Sequence, residues 1–300
     1  MKIKGFWQRF QKQTNKNRKM KVKFWGTRGS IAVPGKDTII YGGNTCCIEI
    51  DLECGKKVIV DAGTGIRALS DRMIAQEEKV EIYLLLTHAH WDHVQGFPFF
   101  DPIFNPTTKI LVDGTPKCMK GLRAVFDNKM GDIFFPVRFG ELKAQISYLD
   151  KLRHGPLKID NTLIDAIPIH HPQEGLGFRF QEGDKRLVFI TDNELTEDAP
   201  AGRQPEDYVR FCKDADVLIH DSQFTPDEIP KHRGWGHSDY TTTLDLALKA
   251  HAKRLLLFHH APSRKDSEVT AIKAHCEDLA TKNRSDIMID AAKEGSEFTL

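Results

Sequence analysis

The sequence predicts an α/β protein in which β-sheets are sandwiched between helices, an αββα arrangement. Three observations carry that expectation. Strand-length runs come first and strand then alternates with helix, the element order of layered α/β folds. Four apolar runs end in side chains of metal-ligating type, and α/β folds build sites where strand ends converge. The 300 residues are 40% hydrophobic and 28% charged, ordinary for a globular protein and enough chain to bury a sizeable core.

Taken in order, residues 1–19 stand apart from a single-domain body at 20–300. Within them Ile3, Phe6, Trp7 and Phe10 recur at i, i+3, i+4 and i+7, one face of a helix, with Lys2, Lys4, Arg9 and Lys12 around the stripe. Such a tail is expected to pack on its own domain, to stay unstructured, or to contact an anionic surface or a partner. The polar, basic stretch 11–19 reads as a linker. The first strand is expected from residue 21 to 25. Glycine-bearing turns follow at Gly26-Thr27-Arg28-Gly29-Ser30 and Tyr41-Gly42-Gly43-Asn44-Thr45. Next come strands at 46–50 and 57–60, a helix at 66–76, and strands at 82–86 and 109–112. Adjacent Cys46 and Cys47 on a strand point to opposite faces, so one of the two is expected in the core. Residues 115–160, with Phe126, Phe134, Phe135 and Phe139 scattered among charges, read as an irregular, partly helical insertion that covers the site. Further strands are expected at 163–169, 177–180, 186–190, 216–219 and 254–258, with a helix at 240–253 between the last two. A final helix at 267–282 and a strand at 286–289 close the chain.

The stretch richest in chemistry is Thr87-His88-Ala89-His90-Trp91-Asp92-His93, directly after the buried-type run 82–86. His88, His90, Asp92 and His93 place four metal-ligand side chains within six residues. Imidazole with carboxylate suits a borderline divalent ion, most often zinc. In a turn just past a strand, His88 and His90 can reach one ion while Asp92 and His93 face a second. Three later strand ends have the same form: His170-His171, Asp192 in Phe-Ile-Thr-Asp, and His259-His260. Singly, each is more often a hydrogen-bonded histidine or a helix cap. Together with the first cluster they supply the donors that a two-metal site needs.

Composition narrows the setting. No stretch approaches eighteen apolar residues and the N-terminus lacks a signal peptide's apolar core, so no membrane span is expected. Six cysteines without a C-x-x-C pair read as reduced thiols of a cytoplasmic protein. The net charge of +1 conceals an asymmetry: residues 1–23 carry nine Lys or Arg and no acid, leaving 34 basic against 42 acidic residues elsewhere. An acidic body is not an evident polyanion binder, so nucleic acid is not favoured as a partner of the body; the tail is the part with that chemistry.

With His88, His90, Asp92 and His93 forming His-x-His-x-Asp-His, the sequence resembles the metallo-β-lactamase-fold superfamily. Phe-Trp-Gly-Thr-Arg-Gly-Ser, Tyr-Gly-Gly-Asn-Thr, Asp-Ala-Gly-Thr-Gly-Ile-Arg, Trp-Asp-His-Val-Gln-Gly-Phe-Pro-Phe-Phe and Trp-Gly-His-Ser resemble its phosphodiesterase branch. That branch includes tRNase Z, phosphoribosyl cyclic phosphate phosphodiesterase and cyclic-nucleotide phosphodiesterases. The resemblance runs from about Lys21 to the C-terminus and implies a four-layer αββα domain with two divalent ions, zinc first and Mn2+ or Fe2+ as alternatives. It implies one ion on His88, His90 and His171, the other on Asp92, His93 and His259, and Asp192 bridging them. His171 is preferred to His170 because it stands six residues before Gly177-Phe178, and His259 to His260 because it directly follows Leu257-Phe258. Asp61 resembles the family carboxylate that orients the histidine loop.

The implied activity is hydrolysis of a phosphodiester, with a metal-bridging hydroxide as nucleophile. His237 in Trp235-Gly236-His237-Ser238 resembles the family histidine at the phosphate, and Asp221 the acid that orients it; the bland reading of His237 is a helix start beside an N-cap Ser238. With Asp92 these are the candidate catalytic residues. Departures are Asp239 after Gly-His-Ser where the family often has Thr, Asp221 for Glu, and Ala261 for Asp. A small cyclic nucleotide or cyclic phosphate is the expected substrate. tRNA 3′ processing is the nearest rival, but the family's tRNA-gripping arm lies between the third metal histidine and the bridging aspartate, and 21 residues here allow only a hairpin. A lactonase or thioesterase on the same metals, a lipid phosphodiesterase, and a metal-bearing binding module are the remaining readings. A diiron oxidoreductase is disfavoured because such members carry Glu where His90 stands. The resemblance also implies a homo-oligomer.

Overall fold

The computed structural model describes residues 18–76, 81–115, 135–196 and 203–300. The expected tail helix and Phe126 and Phe134 lie outside the described residues. The first half of the chain forms β1 (Lys21–Gly26), β2 (Cys47–Asp51), β3 (Lys57–Val60), α1 (Ile66–Ala75), β4 (Glu81–Leu86), α2 (Trp91–Val94), β5 (Lys109–Gly114) and β6 (Gln145–Tyr148). The second half forms β7 (Leu157–Ile159), β8 (Thr162–Pro168), β9 (Leu176–Glu182), β10 (Lys185–Ile190), α3 (Pro205–Cys212) and β11 (Val217–Asp221). It ends with α4 (Ile229–His232), α5 (Tyr240–Lys249), β12 (Arg254–Phe258), α6 (Asp266–Lys282), β13 (Met288–Ala291) and β14 (Glu297–Thr299).

The strands form two seven-stranded sheets, ordered β14-β1-β2-β3-β4-β5-β6 and β13-β12-β11-β10-β9-β8-β7. β3 to β6 run parallel, as do β10 to β13, and the remaining neighbours are antiparallel. Parallel strands must be covered on both faces, which is why β4, β10 and β12 are apolar without alternation. Between the sheets Phe24, Ile48, Val60 and Leu85 meet Phe178, Phe180, Phe189 and Phe258. Outside the first sheet, α1 supplies Ile66, Leu69 and Met73; outside the second, Tyr208, Leu244 and Val269 come from α3, α5 and α6. The result is the expected four-layer αββα order.

Several expectations need correction. Cys46 and Cys47 are both fully buried, because helices cover the outer face of the sheet as well: Cys46 belongs to the inter-sheet core and Cys47 to the cluster under α1. Residues 135–160 are not an irregular insertion, since β6 extends the first sheet and β7 begins the second. α5 stops at Lys249, four residues early. Its end is a Schellman turn with His251 at φ +54°, closed by Ala252 N–H to the Ala247 carbonyl at 3.0 Å and His251 N–H to the Leu248 carbonyl at 3.1 Å. At the other end Asp239, not Ser238, is the N-cap, accepting from the Thr241 and Thr242 amides. The last strand is β14, which returns to pair with β1 (Lys21↔Thr299) in the first sheet.

Candidate metal centre

The first sheet delivers its donors from the end of β4, where the chain turns through His88 and His90 into the short helix α2. That helix buries Asp92, His93 and Val94. The second sheet delivers His171 beyond β8, Asp192 beyond β10, Asp221 at the end of β11 and His259 beyond β12. Apolar strands fix these ends. The turns that follow are backbone exceptions: Asp61, Asp192 and His259 have φ of +61°, +52° and +59°. Left-handed backbone in residues with side chains costs energy and concentrates at functional sites.

Four donor groups result among the described residues: Cys46 joins His93 and His259 in one, and Asp221 and His237 join His259 in another, while the remaining two take in all seven expected ligands. One ligand atom from each of His88, His90 and His171 falls within 4.8 Å of the others, and the same holds for Asp92, His93, Asp192 and His259. Asp192 spans them: Oδ1 lies 3.6 Å from His88 Nε2, while Oδ2 lies 3.3 Å from His93 Nε2 and 3.2 Å from His259 Nε2. Asp92 Oδ2 is 3.2 and 3.3 Å from the same two nitrogens and accepts the Ser30 amide at 2.7 Å. His170 and His260 face away, with His170 Nδ1 toward the Glu194 carbonyl and His260 Nε2 donating to the Ala292 carbonyl.

Each clustered imidazole is held by its outer nitrogen. His93 Nδ1–H donates to Asp61 at 2.8 Å, His259 Nδ1–H to Gln223 Oε1 at 2.9 Å, and His88 Nδ1–H to Thr87 Oγ1 at 3.1 Å. His171 Nδ1–H donates to the Gly236 carbonyl at 3.3 Å and His90 Nε2–H to Gln173 Oε1 at 2.7 Å. The inner nitrogens of His88, His93 and His259 are buried and have no hydrogen-bond partner. The His90 and His171 inner nitrogens face each other at 3.1 Å. Inward lone pairs, outward protons and intervening carboxylates are what a divalent cation requires, and a buried polar atom without a partner is otherwise costly. The donor set therefore fits metal ions.

Electrostatics follow burial and charge. Burial drives His88 well below the ordinary histidine range and lowers His171 to about 4. Burial also opposes charge on His93, but Asp92 and Asp192 outweigh it and raise that ring well above the ordinary value. His237 is buried too; Asp221, 2.8 Å from its Nδ1, overcomes the burial and raises it to about 9. This pairing leaves His237 Nε2 for an open cleft of about 360 Å³, lined by Ser30, Ala89, His90, Trp91, Asp92, Asp192 and His237.

Sequence reasoning did not assign Gln223, Gln173, Ser30, Glu194 or Gly236. Glu194 accepts the Gly234 amide at 2.8 Å and the Gly236 amide at 3.0 Å, tying down the loop that ends in His237. Gly236 has φ +84°, and a Cβ there would stand 1.9 Å from His171 Nδ1, so only glycine fits against that ring. The glycine of the Trp-Gly-His-Ser motif is the signal in the sequence that marks this close approach.

Comparison with known proteins agrees with this geometry. The family model described as a beta-lactamase superfamily domain matches residues 56–260. Ribonuclease BN of Proteus mirabilis is 32% identical, covering 86% of this chain and 94% of its own. A ribonuclease Z from Sulfurisphaera tokodaii is 27% identical, covering 63% of this chain and 73% of its own. Among solved structures, the metallo-beta-lactamase fold protein YhfI from Bacillus subtilis superposes with a TM-score of 0.68 at 17% identity, over 94% of this chain and 99% of that one. A diphosphatase of the PhnP family gives 0.64 at 16%, over 94% and 98%. Fold, clustered donors and relatives agree: the chain belongs to the beta-lactamase superfamily, in its phosphodiesterase branch.

Proposed function

We propose that this metallo-β-lactamase-fold phosphodiesterase holds two divalent ions, zinc by the chemistry of its donors, and hydrolyses a small cyclic phosphodiester such as a cyclic nucleotide. The observation that carries the reading is the convergence of three partnerless buried Nε2 atoms, from His88, His93 and His259, on a carboxylate whose two oxygens face different clusters. His88, His90 and His171 would hold one ion, Asp92, His93 and His259 the other, with Asp192 between. Ions bound there supply Lewis acidity, lowering the pKa of water and neutralising charge on a phosphoryl group. The chain's own residues do the rest. The Ser30 amide fixes the Asp92 carboxylate. His237 lines the cleft and, in its protonated form, can give a proton to a departing alkoxide; Asp221, 2.8 Å from Nδ1, holds that ring in place and favours the protonated form.

A small substrate is supported by the segment between His171 and Asp192, which holds only the β9–β10 hairpin and no room for an RNA-gripping arm. RNA 3′ processing is the second reading, favoured by relatives named ribonuclease Z and ribonuclease BN. One experiment separates them. Metal content is measured on protein purified without chelator, and turnover is compared on nucleoside cyclic phosphates, bis(p-nitrophenyl) phosphate, a 3′-extended tRNA, a lactone and a thioester. Close to two ions per chain, with turnover concentrated on the cyclic phosphates, is expected. Asp192→Asn, which weakens the donor between the clusters, should cut metal content sharply. Turnover of the tRNA alone would establish the second reading. Protein that binds no ion, with no phosphodiester cleaved on adding zinc or manganese, would overturn both.

A further inference from the structure

We propose that Trp91 is the specificity-determining residue of the cleft, and that it selects phosphate esters carrying a planar heterocycle, a nucleobase, by stacking. The inference rests on the phosphodiesterase reading for where the phosphate sits. Trp91 opens α2 between His90 and Asp92, so its backbone is fixed by the donor cluster on either side. The next three residues are buried, yet the Trp91 side chain is 66% exposed and makes no hydrogen bond or ring contact among the described residues. Exposure of this kind is unremarkable on an open surface. Here Trp91 is one of the residues that line the cleft, and every other lining residue is polar or, in Ala89, small.

The cleft thus has two chemically distinct parts. Asp92, Asp192, His90 and His237 line the part where a phosphate belongs, and Trp91 offers a single flat apolar face beside them. One indole face does not make a groove for an acyl chain, whereas it matches a flat aromatic ring in shape and polarisability. At about 360 Å³ the cleft lies within the usual range for pockets of small ligands, about 300–1,000 Å³. A ring stacked on Trp91 would leave the phosphate of the same molecule over the donor clusters. Every base has a π-face, so stacking selects for the presence of a base more than for its identity.

The test is equilibrium binding by calorimetry, using the metal-loaded full chain with adenosine 5′-monophosphate and ribose 5-phosphate as probes. The wild type should bind the nucleotide about tenfold or more tighter than the sugar phosphate, the usual worth of a base on an aromatic side chain. Trp91→Ala should bring that ratio close to one, and Trp91→Phe should restore most of it, at unchanged metal content. A wild type without preference for the nucleotide, or a Trp91→Ala variant that keeps the preference, overturns the proposal. The expected binding pattern in a protein that cleaves no phosphodiester would uphold Trp91 while sinking the phosphodiesterase reading.

Discussion

His237 is the side chain whose role separates a leaving-group catalyst from one more metal donor. Its Nδ1 is occupied by Asp221 at 2.8 Å and stands 4.0 Å from Asp192, while its ring stacks on His259 with centroids 5.0 Å apart. It touches the donor cluster, then, without being needed to complete it. His237→Ala should keep its metal content and lower kcat by about 10²–10⁴-fold, the usual worth of a positioned acid. The deficit should shrink with p-nitrophenolate, which departs without a proton, and be complete with an alkyl or ribosyl leaving group. Equal losses on both, or loss of metal, would make His237 a phosphate ligand or a metal ligand instead. At this scale the sequence was most legible where donors are local. The run from His88 to His93 announces itself, whereas His171 against His170 was decided by distance to a glycine, and the structure groups His171 with His88 and His90. Gln223 and Glu194 were illegible because nothing marks an amide or a carboxylate as the partner of a ring 36 residues away or of a loop 40 residues away.

Elements bring those residues together, and parallel pairing of β10 with β11 sets where Asp192 and Asp221 end. That register begins at Asp216, whose amide donates to the Arg186 carbonyl at 2.9 Å and whose carboxylate accepts the Arg186 amide at 2.8 Å and Lys253 Nζ at 2.7 Å. Partial burial opposes ionisation of Asp216, but these donors outweigh it and hold the carboxyl below its ordinary 3.8. A depressed folded-state pKa contributes stability that is complete above the unfolded-state pKa and lost as pH falls through the folded one. Asp216→Asn should therefore cost about 0.5–1.5 kcal/mol in urea unfolding at pH 7. The difference should shrink as pH falls below 3.8 and through the depressed folded-state pKa, and a cost independent of pH would refute the electrostatic account. The long strands were readable because burial on both faces leaves an unbroken apolar run, as in Leu-Leu-Leu of β4 and of β12. β6, β7 and β14 were missed because three or four edge residues hold too little periodicity to count. The end of α5 was missed because the left-handed position that closes it is His251, with no glycine to mark it.

The whole molecule joins two sheets, and the site lies where donors from both meet, so whatever locks the sheets together also shapes the site. The αββα order was legible from element sequence alone; the return of the C-terminus to the first sheet was not, because it depends on pairing across nearly the full chain. β14 runs beside β1, Phe298 packs on Phe24 with ring centroids 6.2 Å apart, and the Leu300 amide donates to the Met20 carbonyl at 3.0 Å. Removing residues 297–300 strips two partly buried apolar side chains from the inter-sheet core. That should cost about 2–4 kcal/mol and lower Tm by about 4–10 °C. The opposite end should behave otherwise. β1 begins at Lys21 and Met20 is already in the core, so deleting residues 1–17 should leave Tm and small-substrate turnover unchanged. The same deletion removes five cations and no acid, taking the formal net charge from +1 to −4. If the tail contacts a polyanion, full-length protein alone should bind anionic vesicles or RNA in a co-sedimentation or filter assay, and raising salt from 50 to 200 mM should weaken that binding steeply. A truncated protein that binds as well as the full chain would place the contact on the acidic body, and a large fall in its Tm would mean that Phe6, Trp7 and Phe10 are core.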